Sequence, residues 1–186
     1  MRTIKIPSAL HEVLGERQSV KELLLLLAGT VAGVAALGFF AWPFLGTLPA
    51  WRGWLVGLLG ADIVAGSLAN FSRGTNDHYA ARPMQRLVFI AIHVHLPLLA
   101  LLAGQDPLGP LLVWAWTIGG ALLVNARMGK ADQVPLAGTL LAVGILLAVL
   151  VPGMEPWLRA ISALFLLKVL YAFAVNHYAA PAEAQG

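Results

Sequence analysis

The chain has 186 residues, of which 59% are hydrophobic and only 11% charged, and its mean hydropathy is +0.80. A soluble domain of this length carries about 25% charged residues, so the chain has too little polar surface to cover a globule in water. The net charge of +3 is too small and too scattered for a nucleic-acid-binding surface. The absence of cysteine excludes disulfides, thiolate metal sites and cysteine nucleophiles. The composition predicts an integral membrane protein with no nucleic-acid partner.

Six stretches have the length of about 20 mostly apolar residues that a bilayer-spanning helix needs. They are residues 22–43, 53–72, 84–104, 108–127, 134–152 and 156–178. These spans predict an all-α fold, a bundle of six transmembrane helices that forms one domain.

The two ends of the chain lie outside this transmembrane domain of residues 22–178. Residues 1–21 are predicted to be a cytoplasmic leader whose short amphipathic helix lies on the membrane surface. Ser19 and Glu22 have the spacing of a capping box, which predicts the start of the first span. Residues 179–186 are predicted to be a disordered tail, since they have nothing to fold against.

Lysine and arginine concentrate on one side of the predicted bundle. They recur in the leader and in the connections after spans 2 and 4, whereas the other side carries only Arg52 and Arg159. By the positive-inside rule, both termini are then cytoplasmic. We expect a multi-pass protein of a cell membrane of the bacterial inner-membrane type.

The first and last pairs of spans share a weak sequence similarity. The tetrapeptide Leu-Ala-Gly-Thr occurs at residues 27–30 and again at 136–139, and an offset of 106 residues in the downstream helices aligns Asp62 with Lys168. This pattern indicates a parallel repeat of hairpins 1–2 and 5–6. It also places an acid and a base at equivalent depth in two helices.

Ionisable side chains in the middle of a bilayer are costly and mark functional sites. Asp62, His93, His95 and Lys168 are such residues. At 1.5 Å per residue, each lies about 10–13 Å from the cytoplasmic end of its helix. The four side chains are therefore predicted to form one polar layer near the membrane midplane, as a ligand-binding or proton-relay site. The alternative is an Asp62–Lys168 ion pair that only holds two helices together.

Span 3 carries both deep histidines and a proline. His93 and His95 are about 200° apart around a regular helix, so they would not face the same point. Pro97 removes the hydrogen bond to the carbonyl of His93 and favours a kink there. Arg86 lies on the same face as His93, two turns towards the cytoplasm, and Asn70 borders the same cavity as Asp62. Both are included in the predicted site.

A second polar cluster is predicted at the cytoplasmic mouth of this site. Its members are Asn76, Asp77, His78, Asn176 and His177. The alternative interpretation is that they are ordinary polar residues of the membrane interface.

Several classes of function fit this polar layer. Binding or transport of a small solute or of protons is favoured, and six spans make so small a transporter that a homodimer is expected. Against transport, the sequence shows no pair of broken half-helices, the usual mark of an ion site.

The first alternative is a membrane enzyme acting on a lipid or isoprenoid, with a zinc ion held by Asp62, His93 and His95. The second alternative is a structural or regulatory subunit. Haem is not favoured because both deep histidines lie on one span.

Overall fold

The computed structural model describes residues 3–179 and consists of a helical bundle with a small N-terminal hairpin. The transmembrane helices are α2 (Val20–Leu45), α3 (Ala50–Ala69), α5 (Pro83–Ile92) with α6 (His95–Leu102), α7 (Leu108–Ala126), α8 (Gln133–Leu150) and α9 (Pro156–Leu166), which continues as a π-helical segment (Leu167–Phe173). These form six helical spans long and apolar enough to cross a membrane.

The six predicted spans and the multi-pass class are confirmed. The orientation, the internal repeat and the domain bounds stay predictions, and residues 180–186 of the predicted tail lie outside the described residues.

The predicted capping box starts α2. The Ser19 side chain accepts a hydrogen bond from the Glu22 amide at 3.1 Å, and the Glu22 carboxylate accepts from the Ser19 amide at 3.3 Å. The helix then runs along the outside of the bundle and packs closely on α3. At Gly33, an added Cβ would lie 2.7 Å from Cγ1 of Val64, so small residues allow this close approach.

Span 6 lies at the centre of the bundle and is its most buried helix. Phe165, Leu166 and Leu170 are fully buried. Glycines of the neighbouring helices make room for these side chains, because an added Cβ at Gly144 or Gly120 would lie 2.6 Å from Leu166 or Leu170. The core therefore forms around the helix that carries Lys168.

One end of the bundle, which we call the basic end, is formed by residues 3–19, 70–82, 127–132 and 174–179. Strands β1 (Thr3–Lys5) and β2 (Arg17–Ser19) pair antiparallel there, with Ile4 opposite Gln18. They flank a 3-10 turn (Ser8–Leu10) and the short helix α1 (His11–Leu14). The sequence analysis predicted a short helix in this segment but not the hairpin.

The hairpin packs on helix α4 (Arg73–Ala80), which follows span 2. Gly15 has a φ of +70° and touches Gly74 so closely that an added Cβ would lie 2.0 Å from the Gly74 carbonyl oxygen. Only glycine allows both that backbone conformation and that contact. The hydroxyl of Thr75 donates to the Val13 carbonyl at 2.8 Å, so the N-terminal segment is held directly against the basic end.

Candidate functional site

An acid and a base from two different spans are in contact between α3 and span 6. Lys168 Nζ of span 6 donates to Asp62 Oδ2 of α3 at 2.7 Å and lies 3.4 Å from the Asp62 carbonyl oxygen. Asp62 is seven residues from the end of α3, about 10 Å along the helix, so the contact lies in the membrane interior. The two residues that the 106-residue offset aligned are therefore in direct contact.

Local features of spans 2 and 6 position the lysine. Lys168 lies in the π-helical segment, a rare conformation that is frequent at functional sites. Its side chain runs over Gly66, where an added Cβ would lie 2.3 Å from Lys168 Cε. The Asn70 side-chain amide donates to the Lys168 carbonyl at 3.1 Å. Asn70 thus holds the backbone of Lys168, and Gly66 leaves room for its side chain.

The break between α5 and α6 brings both histidines to this ion pair. The helix is interrupted at His93 and Val94, and the rings of His93 and His95 lie 5.0 Å apart. Pro97 cannot donate to the His93 carbonyl, and the indole nitrogen of Trp114 donates to it instead at 2.8 Å. Span 3 is therefore a discontinuous helix, whereas the sequence showed no pair of broken half-helices.

His95 reaches the same carboxylate oxygen as Lys168. Its Nε2 lies 3.9 Å from Asp62 Oδ2, a charge contact that is longer than a hydrogen bond. The Nδ1 of His93 donates instead to the Phe89 carbonyl. Asp62 Oδ2 is therefore the common contact of two ionisable bases from two other helices.

The ion pair is unevenly buried. The side chain of Lys168 is 4% exposed, that of Asp62 50% and that of His95 28%. The ammonium group is thus enclosed by protein, while the carboxylate lies at the outer surface of the bundle. A charge at this depth needs a partner, and Lys168 and Asp62 supply each other with one.

Arg86 does not join this cluster, although it was predicted to belong to it. The residue is 1% exposed, and its Nη2 donates to the carbonyls of Phe173 and Ala174 at 2.8 Å. Its Nε donates to the Asn125 side chain at 2.7 Å. Arg86 therefore binds the carbonyl end of the π-helical segment, where a cation is favoured by the helix dipole.

The predicted mouth residues pack against their neighbours. The Asn76 side-chain amide donates to the Val175 carbonyl at 3.1 Å. The His177 ring donates to the Tyr171 carbonyl at 3.1 Å. The Asn176 backbone amide donates to the Gln133 side chain at 3.3 Å. Both contacts lie at the end of span 6.

The remaining two mouth residues lie on α4. Asp77 is exposed and pairs with Arg73 at 3.5 Å. His78 is 3.1 Å from Arg82, whose guanidinium donates to Glu16 at 2.8 Å. Burial lowers the pKa of His78, and the hydrogen bond from Arg82 lowers the pKa of Glu16. These groups join α4 to the N-terminal hairpin.

The three residues predicted to bind zinc, Asp62, His93 and His95, do not form a metal site in this structure. Within residues 3–179, no group of three His, Asp or Glu side chains has the geometry of a metal site. Asp62 Oδ2 is occupied by the Lys168 ammonium, and His93 Nδ1 by a backbone carbonyl. The residues that were predicted to bind zinc therefore form an ion pair and its surroundings.

Sequence reasoning missed several residues that build the site. Gly66, Trp114 and Gln133 were not among the predicted site residues. Gln133 donates to the Val124 and Ala174 carbonyls, both at 3.1 Å. A sequence signal was available for Trp114. Pro97 leaves the His93 carbonyl without its helical partner, and such a carbonyl needs a donor from a neighbouring helix.

The sequence matches no protein-family model, and neither a curated protein nor a solved structure matches the chain.

Proposed function

We propose that this membrane protein conducts protons through a relay formed by Asp62, His95 and Lys168. The observation that carries the proposal is the position of Asp62 Oδ2, which lies 2.7 Å from Lys168 Nζ and 3.9 Å from His95 Nε2. Two titratable bases from two other spans thus flank one carboxylate oxygen in the membrane interior. Intramembrane Asp and His residues are the common components of proton relays, and histidine titrates in the physiological range.

In the proposed transfer, one proton moves from His95 to Asp62. His95 takes up a proton and becomes an imidazolium, and it passes the Nε2 proton to the Asp62 carboxylate when a side-chain rotation closes the 3.9 Å gap. Asp62 becomes a neutral acid and His95 returns to the neutral imidazole. Lys168 takes no part in the transfer itself and holds Asp62 Oδ2 in place. Release of the proton from Asp62 restores the carboxylate that accepts the hydrogen bond from Lys168.

The packing around Lys168 favours transport of a proton over transport of a larger solute. Lys168 and Asp62 are in direct contact, and the lysine side chain fills the space over Gly66 so completely that a methyl group would collide with it. A solute bound between the two charges would have to displace this side chain. A proton needs only a rotation of His95.

The test is proton flux into vesicles that contain the purified protein. A potassium gradient with valinomycin drives protons inward, and an internal pH-sensitive dye reports acidification. The Asp62→Asn variant is expected to acidify no faster than protein-free vesicles, since an amide cannot take up the proton. Asp106→Asn is the matched control and should keep the wild-type rate. Asp106 lies in an exposed loop, where it accepts a hydrogen bond from the Leu108 amide.

Two results would contradict the relay. The first is a folded Asp62→Asn variant that acidifies vesicles at the wild-type rate. The second is a double variant, Asp62→Asn with Lys168→Ala, that regains wild-type flux, because the pair would then serve only to hold the helices together. Unfolding curves of each variant show whether a lost rate reflects lost structure.

A further inference from the structure

The surface on which Asp62 is exposed is formed by α3 and α6 and is called here the α3/α6 face. On α3, Leu58 and Leu55 precede Asp62 by one and two helical turns, and Leu58 is 62% exposed. On α6 and just before it, Val94, Leu98 and Leu101 are also exposed. The face is polar again at its far end, where Arg52 donates to the carbonyls of Leu101 and Leu102. Near the middle of this face are the half-exposed carboxylate of Asp62 and the partly exposed ring of His95. The face thus combines apolar side chains with one acid and one base.

Lipid cannot satisfy such a surface. The Asp62 side chain is half exposed although it lies about 10 Å from the end of its helix, and acyl chains offer no hydrogen-bond donor. Lys168 binds only Oδ2. Within residues 3–179, no hydrogen bond is made to Asp62 Oδ1 or by the ring of His95, whose Nδ1 is buried. The carboxylate oxygen Oδ1 of Asp62 and the ring nitrogen Nε2 of His95 therefore remain available to a second molecule.

We propose that a second copy of this chain covers the α3/α6 face, so that Asp62 of one copy meets His95 of the other across a two-fold axis. A two-fold contact places the same patch on both subunits, so the patch must be complementary to itself. This face meets that requirement because it carries a carboxylate and an imidazole side by side, surrounded by leucines. The second copy then completes the polar site of the first.

The absence of cysteine allows a direct test by disulfide cross-linking in native membranes. Leu58 lies one helical turn from Asp62, so Leu58→Cys places a thiol on the α3/α6 face without touching the ion pair. We expect Leu58→Cys to form a covalent dimer on mild oxidation. Val31→Cys on α2 and Leu146→Cys on α8 are matched controls of similar exposure, at 61% and 57%, and should stay monomeric.

A second variant tests the polar contact itself. His95→Leu keeps the Asp62–Lys168 pair and makes the face more apolar, so it should leave the fold intact. Single interhelical hydrogen bonds in membranes are weak, but a two-fold contact contains this one twice, so its loss should weaken the dimer roughly tenfold. We therefore expect His95→Leu to reduce the cross-linked fraction of the Leu58→Cys protein. A purely apolar contact would leave that fraction unchanged or increase it, which would overturn the proposed contact.

Other outcomes also overturn the proposal. One is cross-linking of the control cysteines with none at Leu58→Cys or at Leu98→Cys, the second position on this face. Another is rapid reaction of the Leu58→Cys thiol with a membrane-impermeant maleimide, which would show that the face lines a water-filled crevice. These readouts do not depend on proton flux, so a failure here is distinguishable from a failure of the proposed relay.

Discussion

Replacement of Gly66 by alanine is expected to break the Asp62–Lys168 ion pair. The new methyl group would lie 2.3 Å from Lys168 Cε, 2.8 Å from Cδ and 2.9 Å from Nζ. These distances are far below van der Waals contact, so the whole end of the lysine side chain must move. Because Nζ is among the displaced atoms and Lys168 is enclosed by protein, we expect the 2.7 Å contact with Asp62 to be lost.

The magnitude follows from what the displaced lysine loses. Removing one partner of a buried ion pair costs about 3–5 kcal/mol, because a charge is left uncompensated in the interior. This is an upper limit for Gly66→Ala, since both partners remain and Asp62 is half exposed. Alanine recovers about 1 kcal/mol through its higher helix propensity. We therefore expect Gly66→Ala to lower the free energy of unfolding by at most about 2–4 kcal/mol. Gly57 lies in the same helix with no atom within 4 Å of an added Cβ, so Gly57→Ala should raise it by about 1 kcal/mol.

The assay is reversible unfolding of both variants and the wild type in mixed micelles of increasing SDS fraction. The two alanine variants should shift the transition in opposite directions. In a Lys168→Ala background the collision is absent, and Gly66→Ala should then stabilise the protein as Gly57→Ala does. Equal transitions of Gly66→Ala and Gly57→Ala in the wild-type background would refute the reasoning, since Lys168 would not then occupy the space over Gly66.

Two further predictions concern the helix break and the N-terminal hairpin. Trp114→Phe removes the donor to the His93 carbonyl and should lower the free energy of unfolding by about 1–3 kcal/mol, whereas Trp42→Phe, which is 72% exposed, should have little effect in the same SDS titration. Burial lowers the pKa of His78, so its contribution to stability is present above pH 6.5 and is lost as the pH falls through the pKa of the folded state. Amide hydrogen exchange of residues 3–19, corrected for the intrinsic rate, should therefore increase on acidification below pH 6.5, and a pH-independent corrected rate would contradict this.

Much of the transmembrane fold could be predicted from the sequence because the membrane imposes strong constraints. Every span must be an apolar run of about 20 residues, and six such runs are present. The same constraint makes an ionisable residue in a span conspicuous. Asp62 and Lys168 could therefore be paired by depth alone, and they are in contact.

The contacts around the Asp62–Lys168 pair could not be predicted from the sequence, because they depend on tertiary packing that no local sequence pattern encodes. The π-helical segment has no sequence signature, and Gly66 is one of many small residues in these spans. Asn76 and His177 were predicted to line an open mouth because they belong to a polar cluster at the ends of the spans. Their hydrogen bonds to the Val175 and Tyr171 carbonyls depend on where span 6 ends, which the apolar pattern predicted five residues too late.

The position of Lys168 within the π-helical segment bears on how the site can move. The segment that carries the lysine is also the part of span 6 that other helices hold in place. Asn70 binds the carbonyl of Lys168 itself, and Arg86 binds the carbonyls of Phe173 and Ala174. A displacement of this backbone would leave these buried polar groups without partners, at a cost of about 1–3 kcal/mol for each. Movement at the site is therefore least costly for side chains, which is sufficient to pass a proton, whereas alternating access to a larger solute would require the backbone of span 6 to shift.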